Sequence, residues 1–326
     1  MKHYDIVAIG EGLIDFLGVS GADDIRLLGN PGGGPPNMLA AAAKLGRRTA
    51  FISKVGNDIF GDFFRKKIAE AGIEYRGVVS DAYLTTLAIV SLDESGDRSF
   101  AFYRERTADI MLSEDDLDLD LLRDCKILHF STVNMTKDPA RSANFTAVRH
   151  AKEAGAKISF DPNFREFLWN DKDEAIHVAS KGLALADYAK LGEEEAAMLS
   201  GETNPEKAAR AIFDANSLTF LAVTLGAEGS IAVTADGFAR VPSYDVKTVD
   251  TTGSGDAFWG AALHRLLSIE ESASETPDLR DEILTNILSY ANASGAHAST
   301  SKGGIPSVAS EDDIANCMAT AVAFIH

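Results

Sequence analysis

The chain has 326 residues, of which 45% are apolar and 25% are charged. These fractions are typical of globular proteins, so the composition excludes intrinsic disorder, collagen-like repeats and a disulfide scaffold. The 31 basic and 49 acidic residues give a net charge of −18, which repels nucleic acid and acidic membrane surfaces, and we expect neither as a partner.

Short β-branched runs alternate with longer helical stretches along the chain. In chain order, the predicted elements are a strand at Ile6–Ile9, a helix over Asn37–Leu45, a strand at Phe51–Val55, a helix over Phe60–Ala71, strands at Ile127–Phe130, Lys157–Phe160, Tyr188–Leu191, Phe220–Leu225 and Val246–Val249, and helices that begin near Asp256, Asp281 and Glu311. This alternation predicts an α/β fold, with a doubly wound and mostly parallel sheet flanked by helices.

Two segments interrupt the alternation and predict antiparallel strand pairs. The first pair is Leu13–Leu17 and Ile25–Leu28 around a turn at Gly21–Asp24, and the second is Leu87–Leu92 and Phe100–Arg104 around a turn at Asp93–Asp97. Because these pairs are inserted between core units, we predict one domain over residues 1–326. Its core covers approximately 1–12, 33–74 and 109–326, and a small β-sheet lid covers approximately 13–32 and 75–108. Glu271–Pro277 is polar and predicts a surface loop.

Two sequence features indicate the cellular compartment. The chain has only two cysteines, Cys125 and Cys317, and they are widely separated, which favours a reducing environment. Glu11 and Asp15 interrupt the apolar residues near the N-terminus, so this segment does not have the pattern of a signal peptide. We therefore expect a soluble, cytoplasmic protein.

The segment from Asp250 to Asp256 contains a glycine-bracketed turn, Gly253-Ser254-Gly255, before a predicted helix. Backbone N–H groups at a helix N-terminus bind anions. A carboxylate at Asp256 could accept a proton from a hydroxyl while these amides stabilise a transferring phosphoryl group. Taken alone, the turn also fits a simpler interpretation, in which Asp256 caps the helix and the glycines serve only the turn.

A second glycine-rich turn, Gly29–Asn37, also precedes a helix. Its three successive glycines let a ligand approach the backbone, and Asn37 offers a donor and an acceptor to a hydroxyl. No Gly-Lys-Ser/Thr follows, so this is not a Walker A loop. Asp15, on the first lid strand, could accept two hydroxyl hydrogen bonds, although its place on an alternating strand fits solvent exposure equally well.

These two turns together resemble the signatures of the ribokinase-like (PfkB-type) carbohydrate kinases. Gly32–Asn37 matches the family's Gly-Gly-x-x-x-Asn turn, and Asp250–Asp256 matches its Asp-Thr-x-Gly-x-Gly-Asp loop. The resemblance covers nearly the whole chain. It implies a ribokinase-like fold with a lid, and a phosphotransferase that uses ATP and Mg²⁺.

The resemblance also implies roles for individual residues. Asp256 would be the general base, and Gly253, Ser254 and Gly255 would form the anion hole. The implied substrate-binding residues are Asp15, Gly32, Gly33, Asn37, Arg104 and Arg165, and the implied nucleotide-binding residues are Thr224, Gly226, Gly229 and Asn292.

Metal sites are implied in two places. Asp250 and Thr252 match a loop that binds a monovalent cation, for which the resemblance implies K⁺. The segment after the last long helix would complete the site, and its implied ligands are Ala298, Ser301, Gly303 and Ser307. The family's Asn-x-x-Glu motif, which organises Mg²⁺ and phosphate, is here Gly192-Glu193-Glu194-Glu195. Glu195 would act on Mg²⁺ indirectly, and glycine in place of asparagine predicts an altered water network around the ion.

Local features favour fructose as the sugar. Stretches similar to those of bacterial fructokinases are Gly10–Phe16, Asn30–Asn37, Phe102–Arg104 with Ala108–Asp109, and Asp161–Glu166 with Leu168–Trp169. Kinases of 2-keto-3-deoxygluconate share the arginines at 104 and 165, which could bind a substrate carboxylate, so they are the main alternative. Arg165 could instead pair with a structural carboxylate.

Two further expectations concern assembly and class. Lid sheets of this family often pair between subunits, so the resemblance implies a homodimer formed through the lid. A catalytically weak sugar-binding or regulatory protein is the alternative of a different class, motivated by Gly192. Retention of Asp256 and the anion loop argues against it, because a protein that only binds sugar needs no base.

Overall fold

The computed structural model describes residues 2–18, 26–92, 98–273 and 278–320. The predicted turns at Gly21–Asp24 and Asp93–Asp97 lie outside these residues. Within them, the strands are β1 (Tyr4–Ile9), β2 (Leu13–Gly18), β3 (Leu27–Gly32), β4 (Thr49–Ile52), β5 (Lys54–Gly56), β6 (Ile73–Tyr75), β7 (Val78–Ser80), β8 (Thr86–Leu92), β9 (Arg98–Tyr103), β10 (Cys125–Ser131), β11 (Lys157–Asp161), β12 (Tyr188–Gly192), β13 (Phe220–Thr224), β14 (Ser230–Val233) and β15 (Phe238–Val241).

The α-helices of the same residues are α1 (Gly34–Lys44), α2 (Ile59–Glu70), α3 (Leu119–Arg123), α4 (Ala140–Glu153), α5 (Lys172–Leu185), α6 (Glu193–Ser200), α7 (Pro205–Ala215), α8 (Ser254–Ser272), α9 (Asp281–Ala298) and α10 (Glu311–Thr320). Pro35 and Pro36 open α1 as predicted, since proline fits the first turn of a helix. None of the helices in the described ranges is long and apolar enough to cross a membrane.

The large sheet has the strand order β15-β14-β13-β12-β11-β10-β1-β4-β6. Its pairs are parallel from β6 to β13, and the last two pairs, β13 with β14 and β14 with β15, are antiparallel. Helices cover both faces, so the central strands are apolar on both sides. Along β1, Ile6 and Ala8 pack into one core cluster while Val7 and Ile9 pack into the other. The predicted doubly wound α/β fold is confirmed.

The small sheet has the order β3-β2-β8-β9. Within it, β2 pairs antiparallel with β3, and β8 pairs antiparallel with β9, while β2 and β8 are parallel. The predicted separate sheet from two antiparallel pairs is therefore confirmed. Since β2 follows β1 after three residues, the small sheet begins directly at the carboxyl end of a central strand.

Close packing of α1 against α8 brings Asn37 and Asp256, two of the predicted site residues, together. A Cβ atom added to Gly260 on α8 would lie 2.5 Å from the Met38 carbonyl oxygen and 2.8 Å from the Ala41 Cβ of α1. Glycine at this position therefore lets the helix backbones approach. Asn37 on α1 and Asp256 on α8 lie within hydrogen-bonding distance as a result.

Three sequence predictions are wrong in detail. Val246–Val249 is irregular rather than a strand, because the Val249 N–H donates to the Ser299 carbonyl at the end of α9 and not to a neighbouring strand. Phe51–Val55 divides at Ser53, where the chain leaves the large sheet and β5 pairs with β7 instead. The loop predicted over Glu271–Pro277 cannot begin before Ala273, since α8 extends to Ser272. Residues 274–277 lie outside the described ranges.

Candidate active site

Asp256 lies in the first turn of α8, near the carboxyl ends of β11 and β12. The helix is capped by Gly253 in the left-handed region, with φ at 78°, so the Asp256 side chain is not the cap. Burial raises the pKa of Asp256 to about 6, and the nearby Lys190 ammonium opposes this rise. The interpretation of Asp256 as a helix cap is therefore wrong, and its buried carboxylate needs another explanation.

The two oxygens of the Asp256 carboxylate have different surroundings. Oδ2 accepts a hydrogen bond from the Asn37 Nδ2 at 3.0 Å. Oδ1 has no hydrogen-bond donor among the described residues and faces Gly34, where it lies 3.4 Å from the position of an added Cβ. One oxygen is thus fixed by the protein, and the other is available to a ligand.

Lys190 supplies positive charge beside this carboxylate. Its side chain on β12 is only 9% exposed, and Nζ donates to Asp161 Oδ2 at 2.8 Å. Nζ also lies 3.1 Å from the position of a Cβ added to Gly255. Although burial disfavours its charged form, its acidic surroundings, Asp161 foremost, raise the Lys190 pKa. The ammonium group therefore lies at the N-terminus of α8, where a phosphate would bind.

Glu195 and Gly192 have structural contacts at the start of α6. Glu195 Oε2 accepts from the Gly192 N–H, and Oε1 accepts from the Phe164 N–H, each at 2.6 Å. The carboxylate thus joins α6 to the segment after β11, and burial raises its pKa. Both oxygens already accept backbone hydrogen bonds, which fits an indirect role at a metal ion better than direct ligation.

The glycine turn before α1 is held by a buried acid, Glu11. The Gly34 N–H donates to Glu11 Oε1 at 2.8 Å, and the Ser131 hydroxyl donates to Oε2 at 3.2 Å. Gly33 has φ at 117°, and a Cβ there would lie 2.5 Å from the Glu11 carbonyl oxygen, so only glycine fits. Burial raises the Glu11 pKa to about 7.

Asp15 on β2 and Gly32 at the end of β3 contact each other on the small sheet. A Cβ added to Gly32 would lie 2.0 Å from Asp15 Oδ2, so glycine makes room for the carboxylate. Burial raises the Asp15 pKa to about 7, while the Arg165 guanidinium opposes the rise. Arg165 also lowers the pKa of Asp256. This exposed arginine therefore lies within electrostatic range of both carboxylates, and no ion pair of its own occurs among the described residues.

Arg104 has different surroundings from Arg165. Its Nε and one terminal nitrogen donate to Asp109 Oδ2, at 3.0 and 2.5 Å, and the other terminal nitrogen donates to the Val133 carbonyl. The side chains of Arg104 and Asp109 are 7% and 0% exposed. Asp109 also accepts from the Thr86 and Thr107 hydroxyls. Arg104 is thus part of a buried network that joins β8 and β9 to the large sheet.

A cavity of about 390 Å³ lies on the other side of the α8 N-terminus. Its lining includes the predicted residues Thr224, Gly226, Gly229, Ser254, Gly255 and Asn292. The Ser254 hydroxyl is buried without a partner among the described residues, which fits a donor for a bound phosphate. Asn292 instead bonds to the protein: Oδ1 accepts from Ser230 Oγ, and Nδ2 donates to the carbonyls of Val241 and Pro242.

The predicted cation loop is folded against the segment after α9. Asp250 accepts hydrogen bonds from the Thr252 N–H and hydroxyl and, at 3.1 Å, from the Gly303 N–H. Of the other predicted cation ligands, Ala298 and Ser307 are buried, whereas Ser301 is exposed. Among the described residues, no cluster of three or more His, Cys, Asp or Glu side chains could hold a metal ion.

Comparison with known proteins identifies the family. Residues 4–311 match the model of the pfkB family carbohydrate kinases. This chain belongs to that family. It is 38% identical to fructokinase-1 of rice over 321 residues, which cover 97% of this chain and 98% of the relative.

Solved structures of family members agree with the assignment. The fructokinase of Xylella fastidiosa with bound ATP matches with a TM-score of 0.87 and 30% identity, over 97% of this chain and 98% of that one. A double mutant of the Vibrio cholerae fructokinase, with fructose, ADP and a potassium ion bound, matches with a TM-score of 0.84 and 30% identity, over 98% and 99%. This pfkB-type kinase is therefore a phosphotransferase that acts on a sugar hydroxyl.

Sequence reasoning did not identify Glu11 or Lys190 as parts of the kinase site. A signal was available for each, because both charged residues lie in apolar stretches, Lys190 inside a predicted buried strand. Charged side chains are almost never buried without a partner, so such positions indicate a site or an ion pair.

We predict that the two arginines of this kinase differ in their effect on stability. Arg104→Leu should lower the free energy of unfolding by about 3–5 kcal/mol, because it leaves the Asp109 carboxylate buried without its counter-ion. Arg165→Leu is the matched control, and its exposed side chain predicts a change within about 0.5 kcal/mol. Urea unfolding of both variants measures the difference. Equal stability of the two would show that the Arg104 network does not hold the fold.

Proposed function

We propose that this protein is an ATP-dependent fructokinase, which transfers the γ-phosphoryl group to a terminal hydroxyl of fructose. One observation carries the proposal: the free oxygen of the buried Asp256 carboxylate faces the glycine turn of α1, and the two residues before Asp256, Ser254 and Gly255, line the cavity beside α8. The fructokinases among the relatives, one of them with bound fructose, support the choice of sugar.

Asp256 Oδ1 is the proposed general base. It would take the proton of the sugar hydroxyl as the oxygen attacks the γ-phosphorus, while Asn37 holds the other carboxylate oxygen. Backbone amides of Gly253, Ser254 and Gly255 would stabilise charge on the transferring group, and Lys190 would add a positive charge at the same place. Catalysis would thus rest mainly on positioning and electrostatics.

The sugar would bind between the small sheet and α1. Asp15 and Asn37 are the proposed hydroxyl ligands, since the Asn37 Oδ1 is buried without a donor among the described residues. Gly32 and Gly33 would let the sugar approach the turn, and Arg165 would close the open side of the site.

Arg104 would act through the small sheet rather than by touching the sugar, because its guanidinium is bound to Asp109. This leaves Arg165 as the arginine that a substrate carboxylate could meet, so the choice of fructose rests on the fructokinase relatives.

ATP would lie in the cavity lined by Thr224, Gly226 and Gly229, with Asn292 fixing the cavity wall. Mg²⁺ bound to the phosphates would neutralise their charge, with Glu195 acting through water. Asp250, Thr252 and the segment containing Ala298, Ser301, Gly303 and Ser307 would hold a monovalent cation, K⁺ being our proposal.

We also propose one kinase domain over residues 1–326, with the core and lid bounds given above, and a homodimer formed through the lid. Leu28 on the edge strand β3 is 61% exposed and Tyr103 on the opposite edge strand β9 is 64% exposed, which fits a surface that a second copy would cover. Sedimentation velocity of the full chain should give twice the monomer mass, and a monomer at micromolar concentration would contradict this assembly.

The two buried free thiols fit a cytoplasmic location.

The decisive experiment measures ATP consumption with Mg²⁺ and K⁺ over fructose, 2-keto-3-deoxygluconate, ribose, tagatose and nucleosides. We expect selective turnover of fructose, and Asp256→Asn should lower kcat by about 10²- to 10⁴-fold, because it removes the general base. The affinity of the variant for ADP, measured by calorimetry, should stay within twofold.

Other outcomes would change the assignment. Selective turnover of 2-keto-3-deoxygluconate would assign Arg165 to carboxylate binding and contradict fructose as the substrate. Saturable sugar binding without ATP turnover would instead favour the regulatory class.

The pH dependence of kcat/KM should reveal the base. The pKa of about 6 in the protein without substrate predicts that kcat/KM for fructose falls on the acid side with a midpoint near pH 6, because protonated Asp256 cannot accept a proton. The charged groups that act on Asp256 include Lys190, Asp161 and Arg165, and the Asp15 carboxylate interacts with it as well. Lys190→Met removes the main charge that favours the ionised carboxylate, so the midpoint should move to higher pH.

Lys190→Arg keeps the charge and should leave the midpoint near that of the wild type. An unchanged midpoint in Lys190→Met would exclude Asp256 as the group that titrates.

A further inference from the structure

Asn163 has an uncommon backbone conformation directly after β11. Its φ is 49°, one of two positive values for non-glycine residues within the described ranges. Asparagine tolerates this left-handed region better than most residues, but the conformation still needs support from its surroundings.

Hydrogen bonds hold the backbone on both sides of Asn163. The Pro162 carbonyl accepts from the Thr132 N–H and hydroxyl, at 3.1 and 2.7 Å. The Asn163 N–H donates to Asp161 Oδ1 at 3.0 Å, and the next N–H, of Phe164, donates to Glu195. The fold thus fixes Asn163 in this conformation, and the side chain is not what holds it there.

The Asn163 side chain packs against Gly34, beside the free oxygen of Asp256. Its Nδ2 lies 2.1 Å from the position of a Cβ added to Gly34, and Asp256 Oδ1 lies 3.4 Å from the same point. Asn163 is only 9% exposed, yet its amide makes no hydrogen bond to the described residues. An amide nitrogen near a carboxylate is electrostatically favourable, whereas the amide oxygen would be repelled, so the orientation with Nδ2 at Gly34 is the favoured one.

We propose that Asn163 is a catalytic residue, whose Nδ2 donates a hydrogen bond to the sugar hydroxyl that attacks ATP. This inference rests on the proposed function and assigns one more contact in the same site. The Asn163 amide fills the space that a side chain at position 34 would take, and Asp256 Oδ1 lies next to it. A hydroxyl that approaches Asp256 Oδ1 beside this amide can accept from the amide and donate to the carboxylate.

The amide would then act while charge develops on the hydroxyl oxygen. The proton passes from the hydroxyl to Asp256 Oδ1, the oxygen forms a bond to the γ-phosphorus, and the bond from that phosphorus to the bridging oxygen breaks, with its electron pair remaining on ADP. Asn163 neither gains nor loses a proton. Its hydrogen bond strengthens as the oxygen becomes negative, so it stabilises the transition state more than the ground state.

Two substitutions separate the amide from the backbone. Asn163→Gly keeps access to positive φ and removes the amide, and Asn163→Asp keeps the shape and replaces the donor with a negative charge. We expect both to lower kcat with fructose by about 10- to 100-fold, with ADP affinity within twofold of wild type. Asn170→Gly, at an exposed asparagine in the same loop, is the matched control and should keep wild-type kcat.

A binding measurement tests the contact without turnover. Calorimetry in the presence of ADP should compare fructose with the deoxyfructose that lacks the phosphorylated hydroxyl. Wild type should bind fructose more tightly, and Asn163→Gly should discriminate less between the two sugars, because it removes one of the two partners of that hydroxyl and leaves only Asp256 Oδ1.

The outcomes distinguish the two proposals. Wild-type kcat in Asn163→Gly, or undiminished discrimination between the two sugars, would overturn the role of Asn163 and leave the kinase assignment intact. If the wild-type protein phosphorylates no sugar, the proposed function fails and the role of Asn163 fails with it.

Discussion

The site depends on keeping one carboxylate ionised inside the protein. Asp256 is buried at the first turn of α8, and burial alone would favour its neutral form. The helix N-terminus, the Asn37 amide and the Lys190 ammonium all favour the negative charge. Each lies on a different element, so the chemistry is tied to the packing of α1 and α8 and to β12 in the large sheet.

The parallel sheet explains why these groups meet. The carboxyl ends of parallel strands lie on one edge, and residues that follow them are brought together although they are distant in the chain. Glu11 after β1, Ser131 at the end of β10 and Asp161 at the end of β11 are such residues. Glu11 then fixes the glycine turn of α1, and Asp161 holds Lys190. The active site is thus a consequence of sheet topology, refined by buried hydrogen bonds.

The small sheet contributes Asp15 to the proposed sugar site. Asp15 reaches the site from β2, which continues almost directly from β1. The other two strands on this side of the small sheet, β8 and its neighbour β9, are connected to the large sheet by the buried network of Arg104 and Asp109. A sugar that binds between the two sheets would be shielded from water, which would otherwise compete as a phosphoryl acceptor. Under the proposed function, the position of the small sheet would affect both the binding of the sugar and the choice between sugars.

The sequence alone determined the α/β class, most strand and helix positions, and the two glycine turns, because periodicity and turn residues are local signals. It missed the division of the strand at Ser53 and the irregular path of Val246–Val249, since each depends on which distant segment takes the backbone hydrogen bonds. Only the tertiary structure distinguished Arg104, bound to Asp109, from the exposed Arg165, and placed Lys190 beside Asp256. Charge pairing in the interior is decided by residues far apart in the chain, so no local pattern could specify it.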